Sequence, residues 1–342
     1  MTKSAVDRLF SLNRMHWPTR DPFLFCAHHN DHFPKGNEKM GPDADLTGRH
    51  LGNDFNSKDG WNMYHGQEVP GFPHHPHRGF ETVTIARKGF IDHRDSLGAA
   101  SRFGKGDVQW MTAGKGVVHS EMIPLLNRDR ENHTEFFQIW LNLPKKNKLV
   151  DPSFTMFWNE DVPIIHHKDD NGHETTVKVV AGELEGERAL SPPPNSWASE
   201  EGADVAIYTI SMEPQAQWTI PAARADLTRA LYFFDGGTIQ VDGEEASEPT
   251  GFYLHSDQSV TLENGDEKAE LLFLQGRPID EPVAQRGPFV MNYEGELRQA
   301  IVDYQRTQFG GWPWDASEAA HPADRGRFAI HPDGREEEPA AS

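Results

Sequence analysis

The sequence predicts an all-β protein of two consecutive barrel or sandwich domains followed by one C-terminal helix. Three observations predict it. The 342 residues include 24 prolines and 30 glycines, which interrupt the chain too often for long helices. Short apolar stretches recur between turn residues along both halves, and some alternate with the period of two that a half-buried strand requires. Only near the end does the period become helical, where Leu297, Ile301, Tyr304 and Gln308 share one stripe.

Taken in order, residues 1–20 read as a lead-in with a short helix around 6–12. A strand is expected from residue 21 to 26, running into His28, His29 and His32, which read as loop or pocket-rim residues rather than ligands. Residues 34–60 are turn-rich and charged, and read as an inserted surface loop. Strands are expected over 81–86, 107–111, 117–121 and 136–143, with a turn at 112–116. The polar stretch 92–98 reads as a loop. The basic, turn-prone run at 144–148 ends the first domain. The expected division is therefore 20–147, 152–290, a helical segment 291–310 and a tail 311–342. In the second domain strands are expected over 176–183, 204–212, 217–220, 230–234, 238–241, 251–254, 259–263 and 269–275. The helix is placed at 294–308. Beyond 315 the chain is rich in Ala, Pro, Asp and Glu and is expected to be weakly structured.

Thirty-three basic residues against 53 acidic ones give a formal charge of −20. Phosphate backbones and anionic membrane surfaces are bound through Lys/Arg stripes, so neither is an expected partner. A protein partner is compatible with this charge. The single cysteine, Cys26, permits no intrachain disulfide. The sequence has no secretory leader pattern and no apolar run of about 18 residues, so the expected compartment is the cytoplasm.

The chemistry concentrates between Gly71 and Met122, in two clusters, His75-Pro76-His77 and His119-Ser120-Glu121. A strand turns residues i and i+2 to the same face, so two such strands in one barrel can aim four ligands at one point. Three imidazoles and a carboxylate suit Fe(II), Mn(II), Ni(II), Cu(II) or Zn(II). Glu81 rivals Glu121 as the carboxylate, because it lies at an even offset from His77. His74 has the opposite parity and is expected to face away. The alternative is a polar barrel end in which these groups bond one another, and it struggles to satisfy so many buried donors and acceptors.

The stretches HPHRGFETVT (75–84), GDVQWMTAGKGVVHSEM (106–122) and RGPFVMN (286–292) closely resemble the pirin family, a branch of the cupins, over roughly residues 20–308. The resemblance implies two consecutive cupin domains, jelly-roll barrels of which only the first binds metal. His255, the only histidine between 180 and 300, agrees with a metal-free second domain. The general cupin pattern would use Glu81 as fourth ligand and carries Pro where this chain has Thr112. The pirin pattern takes the carboxylate two residues after the last histidine. The implied ligands are therefore His75, His77, His119 and Glu121, holding Fe(II) in a monomer, though other divalent transition metals would fit.

The resemblance further implies a quercetin 2,3-dioxygenase-like activity on a flavonol-like substrate and O₂, with Glu121 as the catalytic proton acceptor. Phe23, Phe80, Trp110, Met111, Phe136 and Trp140 could wall an aromatic substrate, and core packing explains each equally well. Two other readings differ in class. One is a non-enzymatic iron-binding regulator whose redox state is sensed by a protein partner. The other is a metal-dependent isomerase, which would need Arg78, Arg94 or Lys115 facing the ion.

Overall fold

Strands form where the sequence alternates or runs β-branched and aromatic, and two antiparallel sheets of them build the unit that carries both histidine pairs. The structure is a computed structural model and describes residues 4–318 and 320–340. One sheet of this unit runs in the order Gly71–His77, Val117–Met122, Phe90–Asp95, Ala100–Gly104, Phe328–Ile330, Glu336–Glu337. The other runs Ser153–Phe157, Val108–Thr112, Phe80–Lys88, Asn132–Asn142, Phe23–Phe33. Phe33, Phe103, Trp110 and Phe137 are completely buried in it, each stabilising the fold by about 1.5–3 kcal/mol.

The second unit has a seven-stranded sheet, from Val6–Ser11 through Thr250–Leu254, Thr228–Asp235, Ala269–Gly276, Ala206–Met212 and Glu174–Ala181 to Ile164–Lys168. A four-stranded sheet of Gln217–Ile220, Val260–Asn264, Ile239–Val241 and Glu244–Ala246 completes it. Trp218, Leu231, Phe233, Phe252 and Phe273 fill its core. The all-β fold of two domains, with a single α-helix among the described residues, is thus as expected. None of the described helices is long and apolar enough to cross a membrane.

Five expectations are corrected. Residues 6–12 are not helical: Val6–Ser11 is a strand paired with Thr250–Leu254. That remote partner decides its conformation, overriding the helical spacing of Val6, Leu9 and Phe10. Division of the chain is also not linear. Among the described residues, one compact unit joins Ala27–Glu160 to those from Glu281 onward, and the other joins Asp161–Asp280 to those up to Cys26. His28, His29 and His32 lie in the 11-residue strand Phe23–Phe33, not a loop.

The polar stretch at 92–98 is the fourth correction, because Phe90–Asp95 is a strand with Asp92 and His93 buried. Its charge misleads the reading because the neutralising partner is remote. Both carboxylate oxygens of Asp92 accept from Arg102, at 2.6 and 2.7 Å, and both side chains are wholly buried.

The helix, Glu294–Thr307, is capped by the Glu296 carboxylate, which accepts from the backbone N–H of Asn292 and Tyr293 at 3.0 and 3.1 Å. Leu297 and Ala300 pack with Phe289 and Met291. The tail is ordered where weak structure was expected. Phe328–Ile330 pairs with Ala100–Gly104. Arg102 also donates to the carbonyls of His321, Pro322 and Arg325 at 3.0, 2.9 and 2.8 Å. Composition could not reveal this, because the tail is held by a remote arginine bonding its backbone carbonyls and by one short strand whose Phe328 and Ala329 are buried.

Replacing Arg102 by Leu should cost about 3–5 kcal/mol, since it leaves Asp92 charged and unpaired in the interior. Denaturant titration should read that loss, and limited proteolysis should cut first within 311–340. Wild-type stability and an uncut tail in this variant would remove the hub role.

Candidate metal centre

The centre is built where the Gly71–His77 strand meets Val117–Met122. These strands are antiparallel, with His75 opposite His119, Pro76 opposite Val118 and His77 opposite Val117. A one-residue bulge between Phe72 and His75 shifts the register, so that Phe72 lies opposite Glu121. Gly71 permits the close approach at the base of this pair. Its φ is +132°, and a Cβ there would lie 2.5 Å from the Glu121 carbonyl oxygen.

Strand periodicity then brings the imidazoles together. His75 Nε2 lies 3.1 Å from His77 Nε2 and 3.0 Å from His119 Nε2. One nitrogen from each of the three lies within 4.8 Å of the others. Among the described residues this is the only group of three such donors. His77 and His119 are buried, whereas His75 is half-buried and forms the accessible side.

The environment keeps all three neutral. Burial pushes the His75 imidazole down to about 4, against a smaller upward pull from the Pro73 carbonyl. Burial and the neighbouring His75 hold His77 and His119 well below the ordinary histidine value. Neutral imidazoles offer lone pairs, which metal binding needs. Bonds of about 2.0–2.1 Å to a first-row ion put adjacent nitrogens roughly 3.0 Å apart, which matches the spacing of His75 to both neighbours. Hydrogen bonding without an ion fits worse. His75 donates through Nδ1 to the Pro73 carbonyl at 2.9 Å, so its one Nε2 lone pair would face two imidazoles.

Glu121 is buried beside the trio, with Oε2 3.7 Å from His119 Nε2, and is not one of the three converging donors. Burial raises its proton affinity, opposed by His93 and by hydrogen bonds from Gln138 and Thr84. Its rival Glu81 stands on the other sheet, where Oε1 accepts the Thr112 hydroxyl at 2.7 Å. This use of Thr112 gives the departure from proline a physical reason. His74 is exposed and faces away, its ring stacked on Trp312 at 5.1 Å.

Of the aromatic candidates, Trp140 is half-buried, 4.2 Å from Phe80 and 5.5 Å from His77 between ring centroids. Phe80 itself meets His77 edge-on at 5.1 Å. Phe23, Trp110, Met111 and Phe136 are core residues. His28 bonds Glu135 at 3.2 Å, His29 bonds Tyr64 at 2.9 Å and stacks on Phe136, and His32 stacks on His133. Sequence reasoning missed Gln138, Thr84 and His93. Gln138 lies at an even offset from Trp140 and Thr84 at an even offset from Phe80 on their strands, which is the signal that could have found them. His93 was hidden by the loop reading of its segment.

The sequence matches the pirin family over residues 6–141 and the pirin C-terminal cupin domain over residues 207–310. Pirin-1 of Arabidopsis thaliana is 34% identical over 245 residues, which span 70% of this chain and 78% of that protein. A Vibrio cholerae protein provisionally named a quercetin 2,3-dioxygenase is 33% identical over 251 residues, 70% of this chain and 80% of its own. The crystal structure of a quercetin 2,3-dioxygenase from Acinetobacter baumannii aligns with a TM-score of 0.70 at 25% identity, covering 90% of this chain and 99% of that one.

Three imidazoles that titrate lower in the folded than in the unfolded chain make stability depend on pH in one direction. In metal-free protein their contribution is complete above the ordinary value of 6.5 and is lost as pH falls from there through about 4, where His75 protonates. The melting temperature of chelator-treated protein should fall across that window, and His75→Phe should flatten the slope. An equally steep slope in His75→Phe would contradict the buried, neutral trio.

Proposed function

The chain belongs to the pirin family, and on that footing we propose that it is an iron-dependent dioxygenase opening the heterocycle of quercetin-like flavonols with O₂. The observation that carries this reading is the three-imidazole cluster with a buried carboxylate beside it. Similarity to proteins named as quercetin 2,3-dioxygenases supports the substrate class. In this reading His75, His77 and His119 hold Fe(II), with Glu121 as the fourth ligand. The bound ion supplies Lewis acidity at the flavonol 3-oxygen and open positions for substrate and O₂.

Residues of the chain do the rest. Glu121 accepts the proton of the 3-hydroxyl, a role suited to a carboxylate whose proton affinity burial has raised. Oε1 is the receiving atom, because it is held only by the 3.4 Å bond from Thr84, while Oε2 accepts from Gln138 at 2.7 Å. Trp140 and Phe72, both half-buried, offer flat apolar faces beside His77 and His75. Both oxygen atoms of O₂ enter the ester product and C3 leaves as carbon monoxide, so O₂ is the only oxidant required.

The isomerase reading lacks its basic residues. Arg78 donates to the Lys115 carbonyl and to Asp303, Arg94 lies over Trp314, and Lys115 pairs with Asp151. A regulator sensed by a protein partner would share the iron but turn nothing over.

Anaerobic quercetin should perturb the spectrum of the iron-loaded protein, and admitting air should then consume O₂ and release carbon monoxide. Glu121→Gln should lower kcat by about 10²–10⁴-fold, and His77→Ala should abolish turnover. Iron-loaded protein that neither binds quercetin nor consumes O₂ with it would end the enzyme reading.

A further inference from the structure

Gln138 and Trp140 are alternate residues of the Asn132–Asn142 strand, both half-buried, while Phe137 and Ile139 between and beside them are fully buried. Two side chains on one face of a strand are held in register by the backbone itself. Gln138 Nε2 donates to Glu121 Oε2 at 2.7 Å, and Gln138 Oε1 accepts from the Trp140 indole N–H at 3.2 Å. A carboxylate can only accept here and an indole N–H can only donate, so chemistry on both sides determines which way the amide points. The bond to Glu121 is short, as expected when a charged acceptor strengthens it, and it is much shorter than the 3.4 Å contact from Thr84.

Trp140 also ties this arrangement to a histidine of the trio. Its ring lies against Phe80 at 4.2 Å and meets His77 edge-on at 5.5 Å. One indole therefore touches a metal-facing imidazole and fixes the amide that holds the neighbouring carboxylate. We propose that Gln138 is a positioning residue for the metal centre: locked by Trp140, it sets the direction of the Glu121 carboxylate and so the fourth side of the site. The proposal rests on the reading that the three imidazoles hold a metal ion. A purely structural role would only stabilise a buried carboxylate. A positioning role changes the ion's surroundings.

Co(II) is a suitable probe, because its visible bands report ligand geometry and its affinity can be measured by chelator competition. Full-length Gln138→Leu should bind Co(II) about 10–100-fold more weakly than wild type, the usual effect of losing a partner that orients a ligand. Its bands should also shift. Trp140→Phe keeps the ring but removes the indole donor, and should shift the bands in the same direction with a smaller loss of affinity. Circular dichroism and melting of the metal-free variants control for folding. Unchanged affinity and bands in folded Gln138→Leu would overturn the proposal. If that variant fails to fold, wild-type bands in Trp140→Phe would do the same. Wild-type protein that binds no Co(II), or His77→Ala that binds it normally, would instead overturn the metal reading beneath it.

Discussion

Withholding water from three facing imidazoles is the constraint on which the rest of this structure depends. Each is pressed below its ordinary proton affinity mainly by burial, and a lowering of one unit corresponds to about 1.4 kcal/mol. The fold must sustain that cost without allowing the rings to separate. It does so by placing His75 directly opposite His119 in a paired ladder, while Glu121 follows His119 by two residues on the same strand. The result is a set of lone pairs already aimed at one space, so little rearrangement is needed for a cation to enter.

Support for the two histidine-bearing strands comes from outside the cluster. Asp95 is the cross-strand neighbour of His119, and its carbonyl accepts from Trp314 at 2.9 Å. On the same strand Asp92 is joined to Arg102, which gathers three carbonyls of the tail. Asp92, Asp95 and Arg102 lie within the matched residues 6–141, and the tail residues they hold follow the match that ends at residue 310. The contribution of these bonds is mechanical: a strand bonded on its far side has fewer ways to relax when the near side is dehydrated.

The second unit illustrates the alternative use of a similar set of strands. Its interior is filled by Trp218, Phe233, Phe252 and Phe273, and its single histidine of the 180–300 stretch, His255, has no donor cluster around it. Apolar packing stabilises that interior directly. The first unit gives up some of this stabilisation to keep polar groups inside, and Glu121, Gln138, Thr84 and Trp140 are bonded to one another in consequence.

Much of the molecule was legible in the residues alone. The period of two and the turn residues between short strands disclosed an all-β, two-domain chain, and the stripe at Leu297, Ile301 and Tyr304 disclosed its helix. The spacing of His75, His77 and His119 disclosed the trio, because parity along a strand is a property of adjacent residues. Tertiary structure alone placed Glu81 on the other sheet, bonded to Thr112, and Glu121 beside the trio. It alone turned residues 6–11 and the charged segment 90–95 into strands, seated the tail, and set Gln138 between Glu121 and Trp140. Each of those outcomes depends on a partner far away in the chain, and no local pattern of hydrophobicity or charge carries the identity of such a partner.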